Sequence, residues 1–456
     1  MAIKKILIAN RGEIAVRIIR ACCELGIASV AVYSEADRDS LHVKLADEAV
    51  CVGPAASKDS YLNMPNIISA AMVTEADAVH PGYGYFSESS SFSQACEACN
   101  LVFIGPPVAA IEQMGAKAKA REIAERARVP VVPGAKGIVA NDQEALRTAQ
   151  RIGYPLLIKA SAGGGGRGIR RVDSADELLP ALKTAMTEAE SAFGVADVYI
   201  EKLIENARHV EVQVLADKHG HYLYLGEREC SLQNNRRQKM IEEAPCCFLD
   251  ADVRRKMGEC AVKAAKAVGY YSAGTVEFLV DADQNFYFME MNTRIQVEHP
   301  ITEAVTGLDV VKLQIQIAND EKLPIAQKDV RISGHAIECR ITAENPDKDF
   351  QPSAGLIKEL TWPGGPGVRI DSHVYSGYTV PPYYDPLLGK LIVWGADRQE
   401  AITRMQRSMR EFHISGIPTN TPLHSIILED ESYQKGDFNT TFVTRKLAGL
   451  NARERK

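Results

Sequence analysis

The first hundred residues alternate short β-rich runs with stretches of helical periodicity, and that alternation leaves few folds open. Runs suited to strands are Lys5–Ala9, Ser29–Tyr33, Glu48–Val52, Ala78–His80 and Leu101–Ile104. Between the first two, Ile14, Ile18, Ile19, Cys22 and Leu25 recur at the spacing of one helix face. Strand–helix–strand repetition predicts a parallel, doubly wound sheet, in which ligands sit beyond the carboxyl ends of the strands. Two of the runs end in polar loops that contain glycine, Asn10-Arg11-Gly12-Glu13 and His80-Pro81-Gly82-Tyr83-Gly84-Tyr85-Phe86-Ser87-Glu88. For the first loop, an ordinary strand–helix turn and a ligand-facing segment fit equally well.

Pro130, Pro133 and Gly134 mark a linker into a second unit. There the order is a strand-like run to Ala160, a glycine loop from Ser161 to Gly168, and a second strand-like run, Ile169–Val172. A Walker A loop or a Rossmann fingerprint would open a helix instead. The four glycines Gly163, Gly164, Gly165 and Gly166 let backbone N–H groups approach an oxyanion closely and leave the loop mobile. With Lys159 just before it and Arg167 within it, the loop reads as a phosphate-covering lid in preference to a plain hairpin tip. Beyond Pro324 come short strands, turn-rich stretches such as Pro363-Gly364-Gly365-Pro366-Gly367, and two late helices, which predict a third, α+β region.

A length of 456 residues exceeds one compact core, so two or three domains are expected. Lys and Arg number 53 against 59 for Asp and Glu, a net charge of -6 that offers no general basic surface to nucleic acid. No run approaches 18 uncharged apolar residues, so neither a membrane span nor a membrane partner is expected. The opening residues lack an apolar segment with a small-residue cleavage site. The 10 scattered cysteines therefore read as reduced thiols of a cytoplasmic protein. Cys96-Glu97-Ala98-Cys99 is a lone CxxC without a second pair at zinc spacing, and it carries no metal or redox assignment.

The sharpest chemical signal lies between Gly274 and Pro300. Thr275–Val280 and Phe286–Met291 read as two strands of a hairpin joined through Asp281–Asn285. A turn symmetric about Asp283 and Gln284 pairs positions whose numbers sum to 567, which sets Glu277 opposite Glu290. Facing carboxylates repel unless a cation or a proton lies between them, and Asn292 falls on the same face as Glu290. Two carboxylates and an amide oxygen suit Mg²⁺ finished by phosphate oxygens and water; two exposed glutamates on a wet hairpin face are the alternative. Next come Arg294, Gln296 and Glu298, an anion clamp with a base beside it. Arg236-Arg237-Gln238-Lys239, followed by Glu242-Glu243, reads on its own as a solvated face. His209 with Glu211 fits a site pair or a structural hydrogen bond, and His299, before a proline, reads as structural.

From Ile6 to about Leu447 these residues resemble the biotin carboxylases, the ATP-grasp component of biotin-dependent carboxylases. The matching runs are Ile8–Ala15, the His80–Glu88 loop, Lys159 with its glycine loop, Glu201-Lys202, and His209-Val210-Glu211. Glu290–Pro300, Gly334–Arg340 and Tyr378–Asp385 complete them. The resemblance implies an α/β and α+β protein in three parts: a doubly wound N-terminal domain over 1–115, an ATP-grasp domain over 116–325 with its lid at about 131–204, and a C-terminal α+β domain over 326–456. It further implies an ADP-forming ligase that carboxylates biotin on a separate carrier protein with ATP and bicarbonate, through carboxyphosphate.

Position by position, Lys117 and Lys159 would hold ATP phosphates, with Gly163 to Gly166 folding over them. Glu201, Lys202 and Leu203 would frame the adenine, with His209 on the ribose side and Gln233 also on the nucleotide side. Glu277 and Glu290, with Asn292 nearby, would hold Mg²⁺ or Mn²⁺. Lys239, Arg294, Gln296 and the backbone of Val297 would bind bicarbonate, and Glu298 would deprotonate it. Arg340 would stabilise the biotin enolate, while Tyr83, Glu88 and Glu211 would serve the substrate side of the cleft.

Four features depart from the family pattern. Gln233-Asn234-Asn235-Arg236-Arg237-Gln238-Lys239 is one residue longer than usual and lacks a histidine, which puts one ATP-side contact in question. Ala162 replaces a loop glycine, and Ala116 an acidic residue before Lys117. Arg20 and Glu24 stand where the family builds its dimer contact, but Pro366 occupies a usually aromatic position. A homodimer is expected. No segment shows a lysine between methionines in a tight hairpin, so a biotinylated carrier and a carboxyltransferase are expected as partners. The final carboxyl acceptor is not legible. Two other readings stand: an ATP-grasp ligase acting on a different ureido compound, and a silent nucleotide-binding subunit.

Overall fold

The computed structural model describes residues 2–135, 137–160 and 169–454. Five strands, β1 (Lys5–Ile8), β2 (Ala28–Ser34), β3 (Glu48–Gly53), β4 (Ala78–His80) and β5 (Val102–Phe103), form a parallel sheet in the order β3-β2-β1-β4-β5. Each lies within one residue of its predicted run at either end. The chain builds outward from β1 to β3, then returns to add β4 and β5 on the other side. That reversal opens a crevice at the carboxyl ends of β1 and β4. The helix Gly12–Leu25 buries Ile14, Ile18, Ile19 and Cys22 in one cluster with Ile6 and Ile8, worth about 1.5–3 kcal/mol for each large aliphatic side chain. Gly26, at φ 69°, ends it in the left-handed conformation that glycine adopts freely.

A small antiparallel sheet follows, β6 (Leu156–Ala160), β7 (Ile169–Val172) and β8 (Val198–Lys202), in the order β7-β6-β8. Lys159 pairs with Ile169, so the strands flanking the glycine run do form a hairpin. Gly163, Gly164, Gly165 and Gly166 themselves lie outside the described residues. The stretch predicted as a linker is stitched in on both sides. Lys202 N donates to the Pro133 carbonyl and Phe288 N to the Pro130 carbonyl, both at 2.7 Å, which ties the small sheet to the large one.

The large sheet has eight antiparallel strands. They are β9 (Arg208–Ala216), β10 (Tyr222–Gln233), β11 (Lys239–Ala244), β12 (Ser272–Val280), β13 (Phe286–Asn292), β14 (His335–Thr342), β15 (Val368–Ser372) and β16 (Leu387–Gly395). Their order is β13-β12-β9-β10-β11-β14-β16-β15. The pairing of β11 with β14, Ile241 opposite Cys339, carries the sheet unbroken into the C-terminal part of the chain. Four helices follow, Arg398–Glu411, Thr421–Leu428, Glu431–Gln434 and Phe442–Glu454, where the sequence predicts two. The extra ones are too short for periodicity to reveal.

On β9 the side chains alternate. Val210, Val212 and Val214 pack with Met257, Ala261, Ala264 and Ala265 of the helix Ala251–Ala267. His209, Glu211 and Gln213 therefore face the other way. An antiparallel sheet commonly leaves such a polar face wet. Here Glu211 and Gln213 are wholly buried, and this buried polar face is the floor of the site.

Candidate active site

Two loops meet at the crevice of the parallel sheet. Asn10 Nδ2 donates to the carbonyls of Pro81 and Tyr83, both at 2.7 Å, and fastens one loop to the other. Gly82 has φ 64°, and a Cβ there would come within 2.9 Å of Asn10 Nδ2, so the contact requires glycine. Arg11 pairs with Asp37 at 2.5 and 2.8 Å. Burial pushes the Asp37 carboxyl up, but its bonds from Arg11 outweigh this and hold it at about 2. Of the first loop, Arg11 is therefore structural, while Glu13 accepts the Tyr83 hydroxyl at the wall of the cleft.

Glu277 stands opposite Glu290, as turn symmetry predicts, but not for the whole hairpin. Pairs near the turn, from Val280–Phe286 to Phe278–Phe288, sum to 566. Met289 then bulges, and the remaining three pairs, including Glu277–Glu290, sum to 567. Glu277 lies 3.0 Å from His209 Nε2 and 3.1 Å from Lys239 Nζ, and accepts from Asn292 Nδ2 at 2.8 Å. Burial alone would push His209 down, but Glu277 beside it raises its pKa. Glu290 pairs with Lys117 at 3.1 Å. Asn292 Oδ1 accepts from Arg294 Nη2 at 3.2 Å, so its amide oxygen is turned toward the arginine. Two opposed carboxylates are hard oxygen donors of the kind a divalent ion completed by phosphate and water takes, and a metal entering between them would take the place of the Lys239 and Lys117 contacts. His209, Glu211 and Glu277 also gather three possible ligand atoms, but the Lys239 ammonium already sits 2.7 Å from Glu211 and 3.1 Å from Glu277.

The segment after β13 supplies the clamp. Glu88 accepts from Thr293 N and from Arg294 Nε, both at 3.0 Å, and Arg294 Nη1 donates to Gln296 Oε1 at 3.0 Å. Gln296 Nε2 is buried and has no partner among the described residues, an open donor beside the arginine. Glu298 is wholly buried, with Oε1 2.7 Å from Lys239 Nζ and Oε2 2.9 Å from Arg340 Nη2. Burial pushes its pKa up, but the charges of Lys239, Arg340 and Arg228 outweigh it and hold it well below the usual carboxylate range. Burial pushes Lys239 down, but Glu211, Glu277 and Glu298 hold it well above the usual lysine value.

Arg340 Nε also lies 2.6 Å from Glu242 Oε1, and Glu242 faces Glu338 directly across the β11–β14 ladder. Neither oxygen of Glu338 has a partner among the described residues. Burial pushes Glu338 well up and Glu242 up to about 7. Burial thus disfavours the charged form of both carboxyls under the site.

The cleft has a volume of about 950 Å³. It brings together Tyr83, Glu88, Lys117, Lys159, His209, Gln233, Lys239, Glu277, Glu290, Asn292, Arg294, Gln296, Val297 and Arg340. Two expected residues lie one layer beneath it. Glu298 is one; the other is Glu211, whose oxygens are held by Arg228 Nε at 2.6 Å and Lys239 Nζ at 2.7 Å. Glu211 thus meets the lysine that lines the cleft. Glu201, Lys202 and Leu203 also stand back from the described cleft. Glu201 pairs with Lys159, Lys202 Nζ donates to the Tyr154 carbonyl at 2.7 Å, and Leu203 N donates to the Pro155 carbonyl at 3.1 Å.

The longer loop after Gln233 is a turn organised by Asn234, whose Oδ1 accepts from Arg236 N at 2.9 Å and Gln238 N at 3.0 Å. Arg236 reaches out to the Asp349 carbonyl at 2.7 Å, and Arg237 lines the cleft at φ 61°. Gln233 Nε2 lies 2.9 Å from His209 Nδ1. Sequence reasoning missed Arg228, Glu338 and Lys390, left Glu13 in a loop of open role, and read Glu242-Glu243 as part of a solvated face, whereas both are buried in the β11–β14 ladder. The available signal was a charged side chain inside an otherwise apolar strand, as with Lys390 in Leu387–Gly395.

Comparison with known proteins gives three matches to family models. Residues 2–111 match the biotin carboxylase N-terminal domain, 116–326 the ATP-binding domain of carbamoyl-phosphate synthase L chain, and 338–445 the biotin carboxylase C-terminal domain. The chain is 58% identical to biotin carboxylase 1 of Bacillus subtilis over 97% of its own length and 98% of that protein's. A solved biotin carboxylase domain dimer of the Hydrogenobacter thermophilus 2-oxoglutarate carboxylase, in complex with MgADP, ADP and bicarbonate, is 49% identical, with a TM-score of 0.91 and coverage of 98% of both chains. A Campylobacter jejuni biotin carboxylase complex with a β,γ-ATP ligand is 48% identical, with a TM-score of 0.92 and coverage of 97% of this chain and 99% of that one.

Proposed function

The chain belongs to the biotin carboxylase family and carboxylates biotin using ATP, bicarbonate and Mg²⁺, and from the geometry above we propose which side chains divide that work. The observation that carries the assignment is Glu298, wholly buried between Lys239 and Arg340 and next to the open Gln296 amide. Lys117 and Lys159 hold the ATP phosphates, with Glu201, Lys202, Leu203, His209 and Gln233 toward the nucleoside. Glu277 and Glu290, with Asn292 beside them, hold the Mg²⁺, which when bound neutralises phosphate charge.

Bicarbonate binds to Arg294, Gln296, the Val297 amide and Lys239. A lysine ammonium has three donors, and in Lys239 all three are directed at Glu211, Glu277 and Glu298. Bicarbonate arriving there must displace one of them. Glu298 then takes the bicarbonate proton, and the resulting oxygen forms a bond to the γ-phosphorus as the bond to ADP breaks. The carboxyphosphate so formed divides into CO₂ and phosphate. Phosphate accepts the N1′ proton of biotin, and N1′ bonds to the carbon of CO₂. Arg340 stabilises the negative charge on the ureido oxygen, with Tyr83 and Glu88 beside the cleft.

The units we assign are 1–115, 116–325 with a lid at about 131–204, and 326–456. Biotin arrives on a carrier protein, and a carboxyltransferase completes the system. Arg20 and Glu24 support a homodimer. Among the described residues no helix is long and apolar enough to cross a membrane. All 10 cysteines are free, which supports a cytoplasmic setting. The test is ATP cleavage by the purified chain with Mg²⁺ and bicarbonate, with and without free biotin. Stimulation by biotin with formation of N-carboxybiotin is expected. Cleavage that needs bicarbonate but ignores biotin would point to another ureido substrate, and no cleavage to a silent subunit.

A further inference from the structure

Lys390 is wholly buried on β16, where its charge calls for partners from the protein. Its ammonium reaches groups from three separate parts of the chain: the Val297 carbonyl at 2.9 Å, Glu13 Oε2 at 3.1 Å and Asp371 Oδ2 at 3.9 Å. Glu13 opens the helix Gly12–Leu25, and its other oxygen accepts the Tyr83 hydroxyl. Val297 lies between the clamp residue Gln296 and the buried Glu298.

A trans peptide points its carbonyl and its N–H in opposite directions. The Gln296 carbonyl is turned into the protein by His299 Nδ1 at 2.7 Å, so the Val297 amide turns out. The Val297 carbonyl is turned in by Lys390, which fixes the peptide between Val297 and the wholly buried Glu298. Among the described residues the Val297 amide donates to no other backbone group. An outward N–H group beside the open Gln296 amide and Arg294 suits an oxyanion.

We propose that Lys390 is a positioning residue for the anion side of the cleft: by holding the Val297 carbonyl inward it fixes the backbone that presents the Val297 amide to the bound bicarbonate, and through Glu13 it sets the Tyr83 hydroxyl. Lys390 touches no substrate. The inference rests on the reading that the Arg294–Glu298 segment binds bicarbonate.

The experiment measures bicarbonate-dependent ATP cleavage by full-length variants, varying bicarbonate and ATP separately. Lys390→Met is expected to raise KM for bicarbonate at least tenfold while KM for ATP stays within twofold. The double variant Lys390→Met with Glu13→Gln removes both charges and leaves no lone carboxylate on Glu13, while Asp371 keeps Arg369 at 2.7 Å. It should fold, as judged by its Tm, and show the same split; it carries the test should Lys390→Met alone fail to fold. A bicarbonate KM within twofold of wild type in that folded variant overturns the inference, and so does an equal rise in both KM values. Arg294→Ala separates the two levels. If it leaves KM for bicarbonate unchanged, the reading of the segment fails; if it raises that KM and the Lys390 variants do not, only the positioning role fails.

Discussion

Arg340 lies between two buried carboxylates, with Nη2 2.9 Å from Glu298 Oε2 and Nε 2.6 Å from Glu242 Oε1. One guanidinium thus joins the proposed base on the loop after β13 to a glutamate of β11. The role we propose for it, stabilising charge on biotin, comes after the chemistry on ATP. Arg340→Ala should therefore lower N-carboxybiotin formation by about a hundredfold or more, and bicarbonate-dependent ATP cleavage much less. Parallel assays of the two products decide it, and equal losses would move Arg340 to another step.

Glu298→Gln keeps the size of the side chain and removes the proton acceptor. It should fold and bind ATP, yet lose bicarbonate-dependent turnover by about 10²–10⁴. Nucleotide binding and turnover measured on the same preparation check this, and turnover near wild type would remove Glu298 from the proton transfer.

The Glu277–Glu290 pair predicts how the metal requirement responds. Glu290 is partly exposed and ion-paired with Lys117, itself about half exposed. Glu290→Gln should therefore leave Tm nearly unchanged while raising the Mg²⁺ needed for half-maximal turnover about tenfold, a step of about 1.4 kcal/mol in binding. Chelation of the metal should stop turnover in both proteins. An unchanged Mg²⁺ titration would count against these ligands.

Glu243 predicts an acid sensitivity unrelated to catalysis. Burial pushes its carboxyl up, but bonds from Arg398, at 2.6 and 2.9 Å, and from His335, at 2.9 Å, hold it at about 2. Its folded pKa lies below its unfolded value of about 4.3. The stability it contributes is therefore full above about pH 5 and is lost as pH falls toward 2, roughly 3 kcal/mol in all. Glu243→Gln should be less stable at pH 7 and show a shallower loss of stability between pH 5 and pH 3. Denaturant unfolding at those pH values checks it; parallel pH profiles would refute it.

The parallel sheet was legible because each strand and each helix face announces its own period. The pairing of Glu277 with Glu290 was legible for a more fragile reason. The turn is centred on Asp283, not between Asp283 and Gln284, and the bulge at Met289 offsets that difference before the glutamates are reached. Nothing local in the sequence marks such a bulge. Glu242 and Glu338 form the same kind of facing pair, but from strands far apart along the chain. Only tertiary folding reveals that pairing. The polar face of β9 was hidden differently, since alternation signals a polar side without saying whether water or protein covers it.

The unbroken pairing of β11 with β14 also bears on how such a chain can diverge. Glu277 and Glu290 ride on the same sheet as Arg340, so the nucleotide end and the biotin end share one frame. A crossover between related genes near residue 326 would make β11 of one parent pair with β14 of the other. Exchange of parts is easier for the small sheet that carries Lys159, which is joined to the frame through few strands. Lineages should therefore vary that sheet piecewise while inheriting the frame whole.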